Sequence, residues 1–351
     1  MAYTTIDDPS AYFQTKLYTG NGGTQSITGV GFQPDLLWIR NRFNSARTAR
    51  AIDSVRGVGK LLNIAGTADE DTQADTVTSF DSDGFSLGAD SSEYGVNDNT
   101  GSHVAWSWKA GGSASSNTDG SITSTVSANT TAGFSIVKFT ASGSGDQTIG
   151  HGLGVKPKMV ITKVTSTTGP WNTYNENLNS SAPEDYYLNL ASTNGSSSDS
   201  PGVFGAGMTT STIGVGVGVG FVSGQTYVAY CFAEKQGYSK FGSYTGNGND
   251  DGSYIHLGFK PAWFMMKNTA SGNNWHMMDN KRDSDNVVEQ LLKANASDAE
   301  NTTSGKMDFL SNGVKIRSTS TGANGSGATY IYIAFAKNPF VTSTGIPTCA
   351  R

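Results

Sequence analysis

Cysteine is scarce in this sequence, which contains two in 351 residues. So low a count excludes a scaffold held together by disulfides. Histidine is also rare: there are four, and none has a partner at the spacing of a metal site. We therefore expect no metal site and no cofactor.

Excess positive charge is absent as well. The formal net charge is −5, with acidic and basic residues interspersed. A nucleic-acid-binding surface needs a basic face, so we expect no nucleic-acid partner. No apolar run approaches the roughly 20 residues of a membrane-spanning helix. Residues 1–9 lack the basic and apolar regions of a signal peptide, and we expect no membrane insertion.

Motifs that carry catalysis are missing too. No Gly-x-Ser-x-Gly motif stands between a predicted strand and a helix, and no pair of acids recurs in the manner of a glycosidase. Residues 81–84 and 97–101 resemble pieces of a calcium loop, but the downstream Glu of an EF-hand is missing. Turns between strands explain both. We predict that the protein is not an enzyme, and we assign no catalytic residue.

Glycine is abundant, with 44 residues, and one short pattern occurs three times. A glycine-rich turn, a proline, an apolar run and a terminal base follow one another at 31–40, 154–163 and 258–267. Proline is tolerated at the start of a strand, where no ladder N–H is needed. The β-branched and aromatic residues after it favour a strand.

A closing strand follows each copy of this pattern, at 104–108, 228–232 and 331–335. Its first residue lies 70, 71 and 70 positions after the proline of its repeat, counted from Pro34, Pro157 and Pro261. Such equal spacing predicts three homologous domains of about a hundred residues each.

The predicted fold class is therefore all-β with few short helices. We expect three tandem antiparallel β-sandwich domains, of jelly-roll or lectin-like type, at 13–112, 131–238 and 239–351. An N-terminal arm at 1–12 precedes them, and a Ser/Thr/Gly-rich linker at 113–130, with a further strand near 122–126, separates the first two.

The proline-led strands are apolar on both sides, so both of their faces should be covered. We expect short helices at 45–64 and 285–296 to provide part of this cover. In the closing strands, the large residues should face the core of their own domain. The small residues opposite them, including Cys231 as a buried apolar group, should face a neighbour such as another domain.

Trp171 and Trp275 occupy equivalent positions in loops of the second and third repeats. A loop Trp can present a flat face to a sugar ring, which makes both residues candidates for binding a glycan receptor. The alternative is that each begins a strand and packs inward, and recurrence within repeats favours this alternative.

Several segments resemble a family of tail-fibre-like virion structural proteins of marine tailed bacteriophages. They include Ala-Trp-Ser-Trp-Lys-Ala-Gly-Gly at 105–112 and Gly-His-Gly-Leu-Gly at 150–154, together with 8–15, 53–57, 80–85 and 227–234. The resemblance covers nearly the whole chain. It implies a location and a role, and it transfers no functional residue.

What the resemblance implies is a virion component, assembled in the host cytoplasm, that belongs to a tail fibre or its attachment site. Other virion proteins, a host surface glycan and further copies of the chain, as in a trimer, are the expected partners. A capsid decoration or head fibre is an alternative. A glycan-degrading tailspike-type enzyme is an alternative of another class, which a long β-helix repeat with a carboxylate groove would favour.

The N-terminal arm is the candidate anchor to the virion, with Asp7, Asp8 and Pro9 as its named residues. These three residues oppose a strand, and the arm has too little apolar surface to fold alone. We expect it to become ordered against another virion protein.

Overall fold

Antiparallel strands make up almost all of the regular structure. The computed structural model describes residues 2–90, 94–199, 202–205, 207–218, 220–270, 272–302 and 305–348. Within these ranges there are 27 strands and two single-turn 3-10 helices, Pro9–Ala11 and Pro183–Asp185. The expectation of an all-β fold with antiparallel sheets is confirmed.

The first unit contains nine strands. They are β1 Phe13–Thr19, β2 Gln25–Thr28, β3 Leu36–Asn41, β4 Arg50–Asp53, β5 Lys60–Asn63, β6 Asp71–Thr72, β7 Val77–Asp81, β8 Gly84–Leu87 and β9 Ser102–Trp108. The large sheet has the order β1-β9-β3-β4-β5-β6, and a second sheet has the order β2-β8-β7.

The second unit contains ten strands. They are β10 Ser115–Asn117, β11 Ser124–Asn129, β12 Phe134–Thr140, β13 Gly145–Gly150, β14 Met159–Val164, β15 Trp171–Asn175, β16 Tyr186–Asn189, β17 Ser197–Ser198, β18 Thr212–Val217 and β19 Thr226–Phe232. Its large sheet has the order β10-β11-β12-β19-β14-β15-β16-β17, and β13 pairs with β18. Part of the predicted linker therefore forms the strands β10 and β11.

The third unit contains eight strands. They are β20 Ser239–Thr245, β21 Tyr254–His256, β22 Phe259–Asn268, β23 His276–Asp279, β24 Leu292–Lys293, β25 Met307–Leu310, β26 Gly313–Ile316 and β27 Thr329–Pro339. Its sheets have the orders β20-β27-β22-β23-β24 and β21-β26-β25.

The same five-strand order occurs in all three large sheets: β1-β9-β3-β4-β5, β12-β19-β14-β15-β16 and β20-β27-β22-β23-β24. The register agrees as well. Cα partners at equivalent places are Leu36 with Trp108, Met159 with Phe232, and Trp263 with Phe335. Each proline-led strand thus lies between its closing strand and the strand that follows it in sequence.

One hydrophobic core lies between the three large sheets. It receives the large residues of all three closing strands, among them Trp106, Tyr230 and Ile333. Aromatic rings from different units meet there: the centroids of Phe13 and Phe335 are 4.9 Å apart, and those of Phe232 and Phe335 are 6.1 Å apart. All six tryptophans of the chain belong to this core and are at most 2 % exposed.

The small residues of the closing strands face the opposite way, toward the second sheet of their own unit. Ala105 packs in a cluster with Ile27 and Phe85, and Ala334 packs in a cluster with Val314 of β26. The expected assignment of the two faces was wrong, because the large residues meet the neighbouring units. Both faces are buried, so apolar character alone could not distinguish them.

The two predicted helices are also wrong. Residues 45–64 contain β4 and β5, and residues 285–296 contain turns and β24. Val288 and Leu291, whose spacing fits one face of a helix, are buried in the cluster between the two sheets of the third unit. Each forms an isolated bridge, to Met307 and Asn301 respectively. Pairing with distant backbone overrides the local helical period here.

The glycine-valine run at 214–220 begins within β18, and its residue 219 lies outside the described ranges. A Cβ at Gly214 would lie 1.6 Å from the carbonyl oxygen of Phe204, so only glycine allows this approach. The close neighbour is a segment of the same unit. Cys231 is fully buried, as expected, and burial raises the pKa of its thiol to about 12.

Replacing Trp106 with alanine tests the shared core. The ring is fully buried between units, so its removal should cost about 3–5 kcal/mol of unfolding free energy. Because the core joins all three units, chemical denaturation should show one transition, at a lower midpoint, by fluorescence and circular dichroism. The control Val58→Ala changes a side chain of a residue that is 45 % exposed and should leave the midpoint unchanged. An unchanged midpoint for Trp106→Ala would contradict the shared core.

Candidate functional site at the seams between the units

Trp171 and Trp275 both lie at contacts between units. Trp171 is 0 % exposed, and its indole Nε1 donates to the carbonyl oxygen of Asn63 in the first unit at 2.9 Å. Trp275 is 1 % exposed, and its Nε1 donates to the carbonyl oxygen of Asn189 in the second unit at 3.1 Å. Neither ring offers a face to a sugar, which corrects the glycan-binding interpretation. The inward-packing alternative describes both residues.

The terminal base of each proline-led strand is buried at the same contacts between units, which we call seams. Arg40, Lys163 and Lys267 are all 0 % exposed. Arg40 donates to the carbonyl oxygens of Ala296 and Asp298 in the third unit, at 2.8 and 2.6 Å. The sequence pattern showed that a base recurs at this place, but it did not show what the base binds.

The two lysines repeat the arrangement at the other seams. The Nζ atom of Lys163 donates to the carbonyl oxygen of Thr67 in the first unit at 3.2 Å. The Nζ atom of Lys267 donates to the carbonyl oxygen of Thr193 in the second unit at 3.3 Å. Burial of the charged amine lowers the pKa of each lysine to about 8. The three bases therefore connect unit 1 to 3, unit 3 to 2 and unit 2 to 1, which closes a ring.

Two of the seams also contain a buried ion pair. Arg56 Nε lies 2.5 Å from Asp53 Oδ2, and the hydroxyl of Tyr230 in the second unit donates to the same oxygen at 2.8 Å. Burial opposes the charge of Arg56, but the attraction of Asp53 and of Tyr230 exceeds this effect, so the pKa of Arg56 is raised. Both partners of this ion pair have further hydrogen bonds, which a buried ion pair needs to be stable.

The seam between the third and first units has the equivalent pair. Arg282 Nε lies 2.6 Å from Asp279 Oδ2, which accepts from Trp106 Nε1 of the first unit at 3.1 Å. Glu300 joins Arg282 to Arg42 of the first unit, at 3.0 and 2.6 Å. An Asp-x-x-Arg motif occurs in both repeats, and aligning them would have revealed these residues.

The N-terminal arm lies across the second and third units of its own chain. The hydroxyl of Tyr3 donates to the carbonyl oxygen of Gly258 at 2.6 Å, and Thr4 Oγ1 donates to that of Gln236 at 2.7 Å. Ile6 is 3 % exposed and belongs to the shared core. The expectation that the arm needs another protein to become ordered was wrong, because Ile6 and Pro9 are buried within the chain.

The three candidate anchor residues differ in what they contact. Asp7 accepts from the backbone N–H and the hydroxyl of Ser343 at 2.6 and 2.5 Å. Asp8 caps the helical turn that follows by accepting from the N–H of Ser10 at 3.0 Å. Pro9 is buried, whereas both acids are exposed, so only the acids can meet a partner.

Two surface cavities are prominent in the described part of the chain. One, of about 370 Å³, lies on the second unit near Asn172, Tyr187 and Asn194. The other, of about 500 Å³, lies where the arm and β1 meet the third unit. Across the described residues, no three His, Cys, Asp or Glu side chains converge as a metal site would require. No helix found there has the length and hydrophobicity to cross a membrane.

The family described as Domain of unknown function (DUF7483) matches residues 8–339. The chain belongs to this family. The match begins in the arm and ends at the last residue of β27, so a DUF7483 domain includes all three units and the seams between them. No curated protein and no solved structure matches the chain.

The buried lysines predict how stability depends on pH. Their folded pKa of about 8 is below the ordinary value of 10.5, so between these values the unfolded state binds more protons. The free energy of unfolding should therefore rise as the pH increases from about 8 toward 10. Urea denaturation at pH 7.5, 8.5 and 9.5 measures this slope.

The double variant Lys163→Met/Lys267→Met should reduce the slope because methionine does not titrate. Lys138→Met alters an exposed lysine of β12 and should keep the parental slope. A double variant with an unchanged slope would show that these amines do not titrate in this range.

Proposed function

We propose that this protein is a structural component of a bacteriophage virion, in a tail fibre or at its attachment site, and that it takes part in host recognition through binding surfaces. The ring of three units around one core is the observation that carries the proposal. Seams made of buried bases and tryptophans hold three similar outer layers at fixed relative positions. Such an array suits repeated contacts with an extended partner.

We further propose that the units are homologous β-sandwich domains at 13–112, 131–238 and 239–351. Their common strand order and the sequence repeat support this division. In each unit, a buried cluster lies between the large sheet and the second sheet. The jelly-roll or lectin-like type of the sandwich stays a prediction.

Linked binding surfaces raise the effective concentration of one another, so weak contacts add up when the geometry permits simultaneous binding. The outer layers supply exposed apolar residues for such contacts, among them Val222 at 60 % and Tyr254 at 46 % exposure. The proposed partners are other virion proteins, a host surface glycan and further copies of the chain. The resemblance of the sequence to tail-fibre-like proteins supports this choice.

Labelling of purified particles tests the location. Gold-labelled antibody against the protein should decorate the tail or its attachment site in electron micrographs. Label on the capsid would favour a decoration or head-fibre protein instead, and absence from particles would refute a virion role. Incubation with host polysaccharide should release no reducing ends, and their release would favour a tailspike-type enzyme.

The double variant Asp7→Ala/Asp8→Ala tests whether the arm anchors the chain. Both side chains are exposed, and the hydrogen bonds that they lose to Ser343 and Ser10 lie at the surface, so the melting temperature should fall only slightly, whereas the copy number in particles should fall severalfold. Quantitative mass spectrometry of purified particles measures this number. A full deletion of the arm is less informative because it also removes the buried Ile6 and Pro9. Asp250→Ala, at an exposed acid of the third unit, is the matched control.

Incorporation of the double variant at the parental copy number would exclude Asp7 and Asp8 as the anchor. The docking surface would then lie on another part of the arm or on the outer layers of the units.

A further inference from the structure

β21 lies at the edge of the second sheet of the third unit, whose strand order is β21-β26-β25. Its hydrogen bonds to β26 use alternate residues, as in any antiparallel pair. The N–H of Ile316 donates to the carbonyl oxygen of Ser253 at 3.0 Å, and the N–H of Leu257 donates to that of Asn312 at 2.9 Å. The odd-numbered residues of this strand therefore bond to β26, and the backbone groups of the even-numbered residues point away from the sheet.

The two outward-pointing residues are Tyr254 and His256. Both are exposed, Tyr254 to 46 %. None of the residues that the structure describes forms a hydrogen bond with their backbone N–H and C=O groups. Ile255, which lies between them, is 4 % exposed and packs in the cluster between the two sheets of the unit. Unpaired backbone groups on an exposed edge can pair with a further strand.

The equivalent strand of the second unit is β13. Each of the two strands comes directly before the proline-led strand of its unit, and each contains one buried isoleucine, Ile149 in β13 and Ile255 in β21. The N–H of His151, directly after β13, donates to the carbonyl oxygen of Ser211 at 3.1 Å. The odd-numbered residues of β13 therefore bond to β18, and its even-numbered residues point outward.

The outward groups of β13 are paired with the segment 121–124 of the same chain. The N–H of Ile122 donates to the carbonyl oxygen of Thr148 at 2.9 Å, and the N–H of Thr148 donates to the hydroxyl of Ser121 at 2.9 Å. The hydroxyl of Ser124 donates to the carbonyl oxygen of Gly150 at 3.0 Å. The second unit thus shows what kind of segment this edge accepts.

The segment has a simple chemistry. Ile122 forms a parallel bridge with Ile149, and its side chain is 5 % exposed within the buried cluster of the second unit. Its neighbours from 120 to 127 are glycine, serine, threonine and valine, without a charge. The third unit also favours an uncharged segment, because Lys315, opposite Tyr254 in β26, is already paired with Asp251 at 2.8 Å.

Aromatic side chains border the edge of β21. The carbonyl oxygen of Gly258, two residues after the strand, accepts from the hydroxyl of Tyr3 at 2.6 Å and from the N–H of Phe340 at 3.3 Å. The side chain of Phe340 belongs to a residue that is 37 % exposed. In strand addition, main-chain hydrogen bonds provide affinity and contacts of this kind to side chains provide specificity.

We propose that the edge of β21 binds an extended, uncharged segment of another protein, rich in Ser and Thr around one aliphatic residue, which joins the sheet as a parallel strand. A backbone N–H of this segment donates to the carbonyl oxygen of Tyr254, as Ile122 does to that of Thr148. The aliphatic side chain lies beside Ile255. The partner class follows from the edge alone, so it does not depend on the proposed place in a virion.

A second copy of the chain is a poorer source of the segment. Residues 121–124 of that copy already pair with β13 of their own unit, and their removal would leave the backbone groups of Thr148 unpaired and Ile122 exposed. A segment of a different protein carries no such cost.

NMR titration of the isotopically labelled full chain with the capped peptide of residues 120–126 tests the edge. The amide signals of residues 254–257 should shift, and the amide hydrogen of Tyr254 should exchange more slowly with solvent. The dissociation constant should be on the order of 1 mM, as expected for a short peptide. The same peptide with proline in place of Ile122 lacks the donor and should not bind. No shift at about 10 mM peptide, or equal shifts with both peptides, would overturn the proposal.

Two variants of one residue separate the backbone from the side chain. Tyr254→Pro removes the outward N–H and keeps the bonds to β26, since proline is tolerated on an edge where its nitrogen faces solvent. It should weaken binding on the order of tenfold, whereas Tyr254→Thr, which keeps the N–H and copies Thr148, should stay within about threefold of the parent. An equal loss in both variants would show that the ring binds and would overturn strand addition.

Melting temperatures establish that both variants are folded. If Tyr254→Pro does not fold, the comparison of the two peptides on the parent chain still decides the question. Sedimentation velocity of the chain alone should show one species at all concentrations used. A concentration-dependent dimer that Tyr254→Pro abolishes would assign the edge to a second copy and overturn the choice of partner.

Discussion

The structure depends on the burial of two faces of each large sheet. One face packs against the second sheet of its own unit, and the other packs against the large residues of the two neighbouring units. A unit alone would expose Trp106, Tyr230 or Ile333 together with the rings around them. An exposed apolar surface of this size leads to association with other molecules. Folding of one unit is therefore tied to the presence of the other two.

Charged groups at the seams follow from the same geometry. Where three sheets exclude water, a buried base needs hydrogen-bond acceptors. Backbone carbonyls in the loops after β5, β16 and β24 of the neighbouring unit supply some of them, and the two lysines also donate to the carbonyl of the residue that follows them. Arg40, Lys163 and Lys267 use them in turn, so each unit is both a donor and an acceptor. These hydrogen bonds therefore run in one direction around the ring.

The sequence allowed the all-β class, the repeat and the closing strands to be predicted. The residue types and their alternation are visible within each strand, and the equal spacing of the repeats can be counted along the chain. It did not reveal which apolar face of a strand meets a neighbour, since Trp106 and Ala105 are both buried. Residues 285–296 were predicted to be a helix because Val288 and Leu291 have helical spacing, although these two side chains pack between the sheets of the third unit.

The three seams are not chemically equal. At two of them, Asp53 and Asp279 each pair with an arginine, whereas the equivalent residue of the second unit is Asn175. The closing strands differ as well, because Ile333 occupies the position at which Tyr230 and Trp106 supply polar groups. The seam between the second and third units thus has no buried arginine–carboxylate pair among the described residues, and it depends more on apolar contact than the other two seams do. Because apolar association weakens on cooling, low temperature should loosen the ring at this seam before the other two, which gives a nearly symmetric body a preferred place to open.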